Sequence, residues 1–133
     1  MQGAKILLVD DEAVFTNNMA KLLTNRGYKV TPVNSGDAAV RALQHQTFDV
    51  MVLDLKMPGM DGITTLKQAK KLGIFTETLI LTGHGSIDTA LEAIKLGAYD
   101  YLTKPCEISE LVAKIEGAWS KKSDAQKGEE EQP

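Results

Sequence analysis

Short, nearly all-apolar runs that stop at a polar, reactive side chain constrain this chain more than anything else in it. Ala4 to Val9 (AKILLV) stops at Asp10-Asp11, Val50 to Leu53 (VMVL) at Asp54, and Thr78 to Leu81 (TLIL) at Thr82. Runs of this length without polar alternation predict strands covered on both faces, the habit of parallel sheets. Two less apolar segments, Lys29 to Val33 and Tyr99 to Thr103, complete a set of five. Pro32 suits the second of these strands to a sheet edge, where its missing N–H leaves no ladder bond unmade.

Between the strands the apolar spacing becomes helical. Phe15, Met19, Leu22, Leu23 and Arg26 share one such spacing, which stops at Gly27. Ser35-Gly36-Asp37 opens a second helix with Ala39, Val40 and Leu43 on its inner face, and a third is expected from about Gly62 to Leu72. Ile87, Leu91 and Ile94 mark a fourth, closed by Gly97, and Ile108, Leu111, Val112, Ile115 and Trp119 mark the last. Strict alternation of strands and helices predicts an α/β fold with a doubly wound, five-stranded parallel sheet and five helices. Strand order 2-1-3-4-5 is the common solution, and ligands then bind past the carboxyl ends of strands one and three, where the order reverses. The expected domain covers 4–119. The Lys-, Glu- and Gln-rich stretch 120–133 has nothing to bury and is expected to be a disordered tail.

Composition removes several classes of function. A net charge of −3 gives no electrostatic reason to expect direct nucleic-acid binding. The lysine pairs Lys70-Lys71 and Lys121-Lys122 read as solvated helix faces or ends. One cysteine, Cys106, excludes an intramolecular disulfide framework and fits a reducing compartment. No apolar run approaches the ~20 residues that span a bilayer, and no signal-peptide pattern precedes the first strand, so no membrane partner and a cytoplasmic location are expected. His45 falls in an early loop with no partner and reads as solvated.

The strand ends carry the chemistry. Adjacent parallel strands lie ~4.8 Å apart, so Asp10, Asp11 and Asp54 should crowd together, repel, and push at least one carboxyl toward protonation. A hard cation such as Mg²⁺, which takes oxygen ligands beside phosphate groups, relieves that conflict. Thr82 and Lys104 should reach the same edge from strands four and five. A hydroxyl and an ammonium beside a carboxylate nucleophile are what phosphoryl transfer to an acid requires.

Four segments together resemble the receiver domains of bacterial two-component systems: Ile6-Leu-Leu-Val-Asp10-Asp11-Glu12, Asp54-Leu-Lys-Met-Pro-Gly-Met-Asp-Gly62, Leu81-Thr82-Gly-His-Gly85 and Gly97-Ala-Tyr-Asp-Tyr-Leu-Thr-Lys104-Pro105. The resemblance covers about Lys5 to Trp119 and implies the flavodoxin-like sheet order. It implies that Asp54 accepts a phosphoryl group from a histidine kinase or histidine phosphotransfer protein. Asp11, Asp54 and the backbone carbonyl of Lys56 would hold Mg²⁺ or Mn²⁺, with Asp10 acting through water. Thr82 and Tyr101 would be the switch pair, Lys104 would contact the phosphate, and the Lys104-Pro105 peptide would be cis. Lys56 and His84 stand where family members vary and tune phosphoryl lifetime. Tyr99, one strand period from Tyr101, is expected to share its face.

Such a chain would catalyse only its own phosphorylation and dephosphorylation. A phosphatase built on an aspartyl phosphate would present an acid where Lys56 stands. A flavodoxin-type cofactor binder needs a Ser/Thr/Gly-rich phosphate loop, and Val9-Asp10-Asp11-Glu12 would repel a phosphate. A receiver that works without phosphate is the third alternative, opposed by the intact acid, threonine and lysine set. The expected output is a change in the surface of the fourth helix, fifth strand and fifth helix. That surface would act on an output partner, on an output domain beyond this chain, or on a second copy in a phosphorylation-dependent homodimer.

Overall fold

The computed structural model describes residues 3–83 and 87–131, with backbone alone for 124–131. Its elements alternate as expected: β1 (Lys5–Val9), α1 (Ala13–Asn25), β2 (Lys29–Val33), α2 (Gly36–His45), β3 (Val50–Leu53), α3 (Gly62–Lys71), β4 (Glu77–Thr82), α4 (Ile87–Lys95), β5 (Asp100–Thr103) and α5 (Ile108–Glu131). The sheet has the order β2-β1-β3-β4-β5, and every pairing is parallel. Pro32 lies on the edge strand, opposite Leu8.

Successive residues of a strand point to opposite faces, so each apolar run serves two cores. Leu7 and Val9 of β1, Met51 and Leu53 of β3 and Ile80 of β4 pack with Ala39, Leu43, Leu66, Ala69, Ala90 and Ala93, beneath α2, α3 and α4. Ile6, Leu8, Val50, Val52, Leu79 and Leu81 face the other way and pack with Met19, Leu23, Leu111, Ile115 and Ala118, beneath α1 and α5. Two helix starts have side-chain caps: Ser35 Oγ accepts from the Ala38 N–H and Asp61 Oδ1 from the Thr64 N–H, at 3.1 and 2.8 Å. Such caps are each worth about 1 kcal/mol.

Four expectations need correction. The stretch from Ser120 is not a tail without structure, because α5 continues as helix to Glu131. Within it Lys122 is not a solvated end: its side chain is 17% exposed and its ammonium meets Asp49 Oδ1 at 2.9 Å. On α4 the inner positions are Ala90 and Ala93, whereas Ile87 and Leu91 are 46% and 47% exposed. Small residues let α4 lie close to the sheet, which turns its larger ones toward solvent. Likewise Leu22 of α1 is outside the core, while Thr16 joins Met19 and Leu23 within it.

Candidate functional site

The register of the strands assembles the site. Val9 pairs with Leu53, so the residues that follow, Asp10 and Asp54, leave adjacent strands at the same level. The Asp54 N–H still donates to the Val9 carbonyl at 3.0 Å, which holds the two together. Thr82 ends β4 opposite Thr103, and the Lys104 N–H donates to the Thr82 carbonyl at 2.8 Å. The Lys104–Pro105 peptide is cis. Gly62 closes the base: a Cβ there would lie 2.5 Å from the Asp54 carbonyl oxygen, so only glycine allows α3 to start this close to the end of β3.

Asp10 and Asp54 are 1% and 6% exposed, while Asp11 is exposed at the rim. One carboxylate oxygen of each lies within 4.8 Å of the others. Asp54 Oδ1 accepts from the Thr82 hydroxyl at 2.9 Å and from the Lys56 N–H at 3.3 Å, while Oδ2 faces the Lys104 ammonium at 3.6 Å. Lys104 donates to Asp10 Oδ2 and lies 3.3 Å from Glu12 Oε1. Burial raises the Asp10 pKa from its ordinary value, against the pull of Lys104 and the Glu12 N–H. Burial alone would lower Lys104, but its bond to Asp10 and the charge of Asp54 outweigh that and raise it. The push toward protonation thus falls on Asp10, but it comes from burial first, and the neighbouring Asp54 charge adds the smallest part.

Asp10, Asp11, Glu12 and Asp54 outnumber Lys56 and Lys104 and leave the cleft with surplus negative charge, and every ligand atom the three aspartates offer is oxygen. That donor set fits a hard divalent cation. The cleft is lined by Asp11, Glu12, Asp54, Lys56, Thr82, Gly83 and Lys104. Six expected site residues therefore meet here, namely Asp10, Asp11, Asp54, Lys56, Thr82 and Lys104. His84 lies outside the described residues. Tyr101 stands apart, half-buried against the core beneath α4. Tyr99 does not share its face but packs with the α5-side core, because β5 begins only at Asp100 and Tyr99 precedes the strand alternation.

Sequence reasoning missed three supporting residues. Asn34 Nδ2 donates to the Asp10 carbonyl at 2.9 Å and to Thr16 Oγ1 at 3.0 Å, tying the acidic loop to the end of β2. Its position just past a strand neighbouring β1 was the available signal. The Phe15 ring lies under the Lys104 ammonium, 4.3 Å from centroid to nitrogen, and Glu12 flanks the same nitrogen. Nothing in their spacing distinguishes them from an ordinary helix face and a loop acid.

Comparison with known proteins agrees with this geometry. The family described as the response regulator receiver domain matches residues 6–116. The transcriptional regulatory protein ZraR of Escherichia coli (strain K12) is 42% identical over 113 residues, 85% of this chain and 26% of ZraR. The transcriptional regulatory protein FixJ of Bradyrhizobium diazoefficiens is 40% identical over 124 residues, 93% of this chain and 60% of FixJ. This chain thus spans about a quarter of one relative and 60% of the other. The solved response regulator receiver domain protein from Clostridium thermocellum superposes with a TM-score of 0.86 at 36% identity, covering 91% of this chain and 98% of that one. By sheet order, strand-end chemistry and likeness over most of its length, the chain belongs to the response regulator receiver domains of two-component signalling.

Proposed function

We propose that this receiver is a phosphorylation switch in which Asp54 accepts a phosphoryl group from a histidine kinase or histidine phosphotransfer protein. The observation that carries the reading is the surplus negative cleft with Asp54 at its base, between a hydroxyl at 2.9 Å and an ammonium at 3.6 Å. Asp11, Asp54 and the Lys56 backbone carbonyl would hold Mg²⁺ or Mn²⁺, with Asp10 acting through water. Bound there, the cation would offset charge on the entering phosphoryl oxygens. Lys104 offsets the remainder from the opposite side, and Thr82 turns its hydroxyl from Asp54 to a phosphoryl oxygen.

That turn of Thr82 vacates room beside the core in which Tyr101 is half-buried, and Tyr101 rotates inward to fill it. The α4-β5-α5 face then changes shape for an output partner, an output domain, or a second copy of the chain. Exposed Ile87 and Leu91 give α4 the apolar area for such a contact. The chain acts on no external substrate. Lys56, exposed at the cleft mouth, holds the hydrolytic water off line and lengthens the phosphorylated state. Its replacement by Asn should speed dephosphorylation several-fold, and an unchanged rate would remove that role.

The test is incubation with Mg²⁺ and acetyl phosphate, followed by intact mass. One added phosphoryl group is expected on the native chain and none on Asp54→Ala. Labelling that survives the substitution, or no labelling of the native chain, would overturn the reading. Among the described residues no helix is long and apolar enough to cross a membrane.

A further inference from the structure

We propose that Phe15 is a positioning residue for Lys104, holding its ammonium at the cleft when a divalent cation is bound. The inference rests on the switch reading above and adds a residue to it. The Lys104 nitrogen has four neighbours: Asp10, Glu12, Asp54 and the face of the Phe15 ring at 4.3 Å. Two of the acids, Asp10 and Asp54, belong to the oxygen cluster that fits the cation. Once a dication lies among them, their pull on Lys104 is offset, and the dication itself repels the ammonium with an energy that falls only as the inverse of distance.

Glu12 keeps its charge, but its side chain is 67% exposed, so water and salt screen it. The Phe15 ring is different. Its attraction comes from the ring quadrupole, needs no ionised partner, and is not offset by the cation. Phe15 is itself anchored, half-buried against the core beneath α1 and α5. Lysine carries its charge on a flexible four-carbon stem, so a fixed surface beneath it decides whether the ammonium waits at the cleft or swings into solvent. In the transfer step an Asp54 oxygen–phosphorus bond forms while the donor's oxygen–phosphorus bond breaks and acetate leaves with the electron pair. Lys104 must be in place while the equatorial oxygens carry that charge.

The experiment compares the native chain with Phe15→Leu, which keeps the bulk and loses the π face, and Phe15→Tyr, which keeps both. Phe15→Met repeats the loss with another apolar shape should the Leu variant fold poorly. Three quantities are read: Mg²⁺ affinity without phosphate, beryllofluoride affinity at saturating Mg²⁺, and the rate of phosphoryl gain from acetyl phosphate. The expected result is a loss of about three- to tenfold in the last two for Phe15→Leu and Phe15→Met. Mg²⁺ affinity should be unchanged, and Phe15→Tyr should lie near the native values. Equal rates for Phe15→Leu and the native chain, an equal loss in Mg²⁺ affinity, or a Tyr variant as slow as the Leu variant would overturn the role. A native chain that gains phosphoryl while the Phe15 variants match it faults this inference alone. A native chain that gains none overturns the switch reading, and this inference falls with it.

Discussion

The two edges of the sheet handle acidic side chains in opposite ways. At the amino-terminal edge, Asp49 precedes β3, Glu77 opens β4 and Asp100 opens β5, and each faces a different lysine of α5: Lys122, Lys121 and Lys114. At the carboxyl-terminal edge, Asp10, Glu12 and Asp54 meet one ammonium, that of Lys104, and Asp11 joins Asp10 and Asp54 in the same oxygen cluster. One edge is matched charge for charge and fastens a helix to the sheet. The other gathers surplus negative charge at a partly buried cleft, a set of oxygen donors that a further cation would balance. Charge surplus separates site from scaffold here, since one edge pairs three acids with three lysines and the other gathers three around the single ammonium of Lys104.

Removing the shared lysine should have the largest effect. Lys104→Met leaves the buried Asp10 carboxylate without its partner, and is expected to cost about 3 kcal/mol of unfolding free energy in chelator. Saturating Mg²⁺ should restore much of that loss, because the added cation replaces the missing countercharge. Denaturant melts with and without Mg²⁺ check this, and a loss indifferent to the metal would break the contrast between the edges.

A smaller effect is expected at the matched edge. Asp49 accepts from the Lys5 N–H at 2.8 Å as well as from Lys122. Asp49→Ala should therefore cost about 1.5 kcal/mol. Mg²⁺ titration of the folded variant should match the native chain, and a weakened metal affinity would show that the edges are not independent.

The smallest effect concerns pH. Burial would raise Asp100, but its bonds to Lys114 and the Tyr101 N–H outweigh this and hold its pKa below the ordinary carboxylate value. A folded pKa below the unfolded one adds stability above the unfolded value, ~3.9, and that stability disappears as pH falls through the folded pKa. Because both partners are a third or more exposed, solvent screening limits the contribution to about 0.5 kcal/mol. Unfolding free energies of the native chain and Asp100→Asn should differ by that amount well above the ordinary carboxylate pKa and converge as pH falls through the lowered folded pKa. A difference that persists in acid would assign the pair no part in it.

Much of this contrast was legible in the residues alone, and the exceptions share a cause. The acids of the carboxyl edge follow directly from strand ends, since Asp10 and Asp54 are the first polar residues after apolar runs. Thr82 and Lys104 follow by the same logic. The pairs of the other edge were invisible, because Lys122 lies 73 positions from Asp49 and meets it only through the packing of α5. Phe15 beneath Lys104 and Asn34 behind Asp10 were missed for the same reason. Ile87 and Leu91 carried a helical apolar spacing, yet α4 buries its alanines.

By itself the amino-acid sequence determined the elements, their order and the edge at which the three aspartates gather. Those depend on local periodicity and on the rule that a parallel sheet exposes its strand ends. Tertiary structure alone decided which charges are satisfied and which are left in excess. That is set by distances of a few ångströms between residues far apart in the chain, and electrostatic energy in a buried cleft changes steeply over such distances.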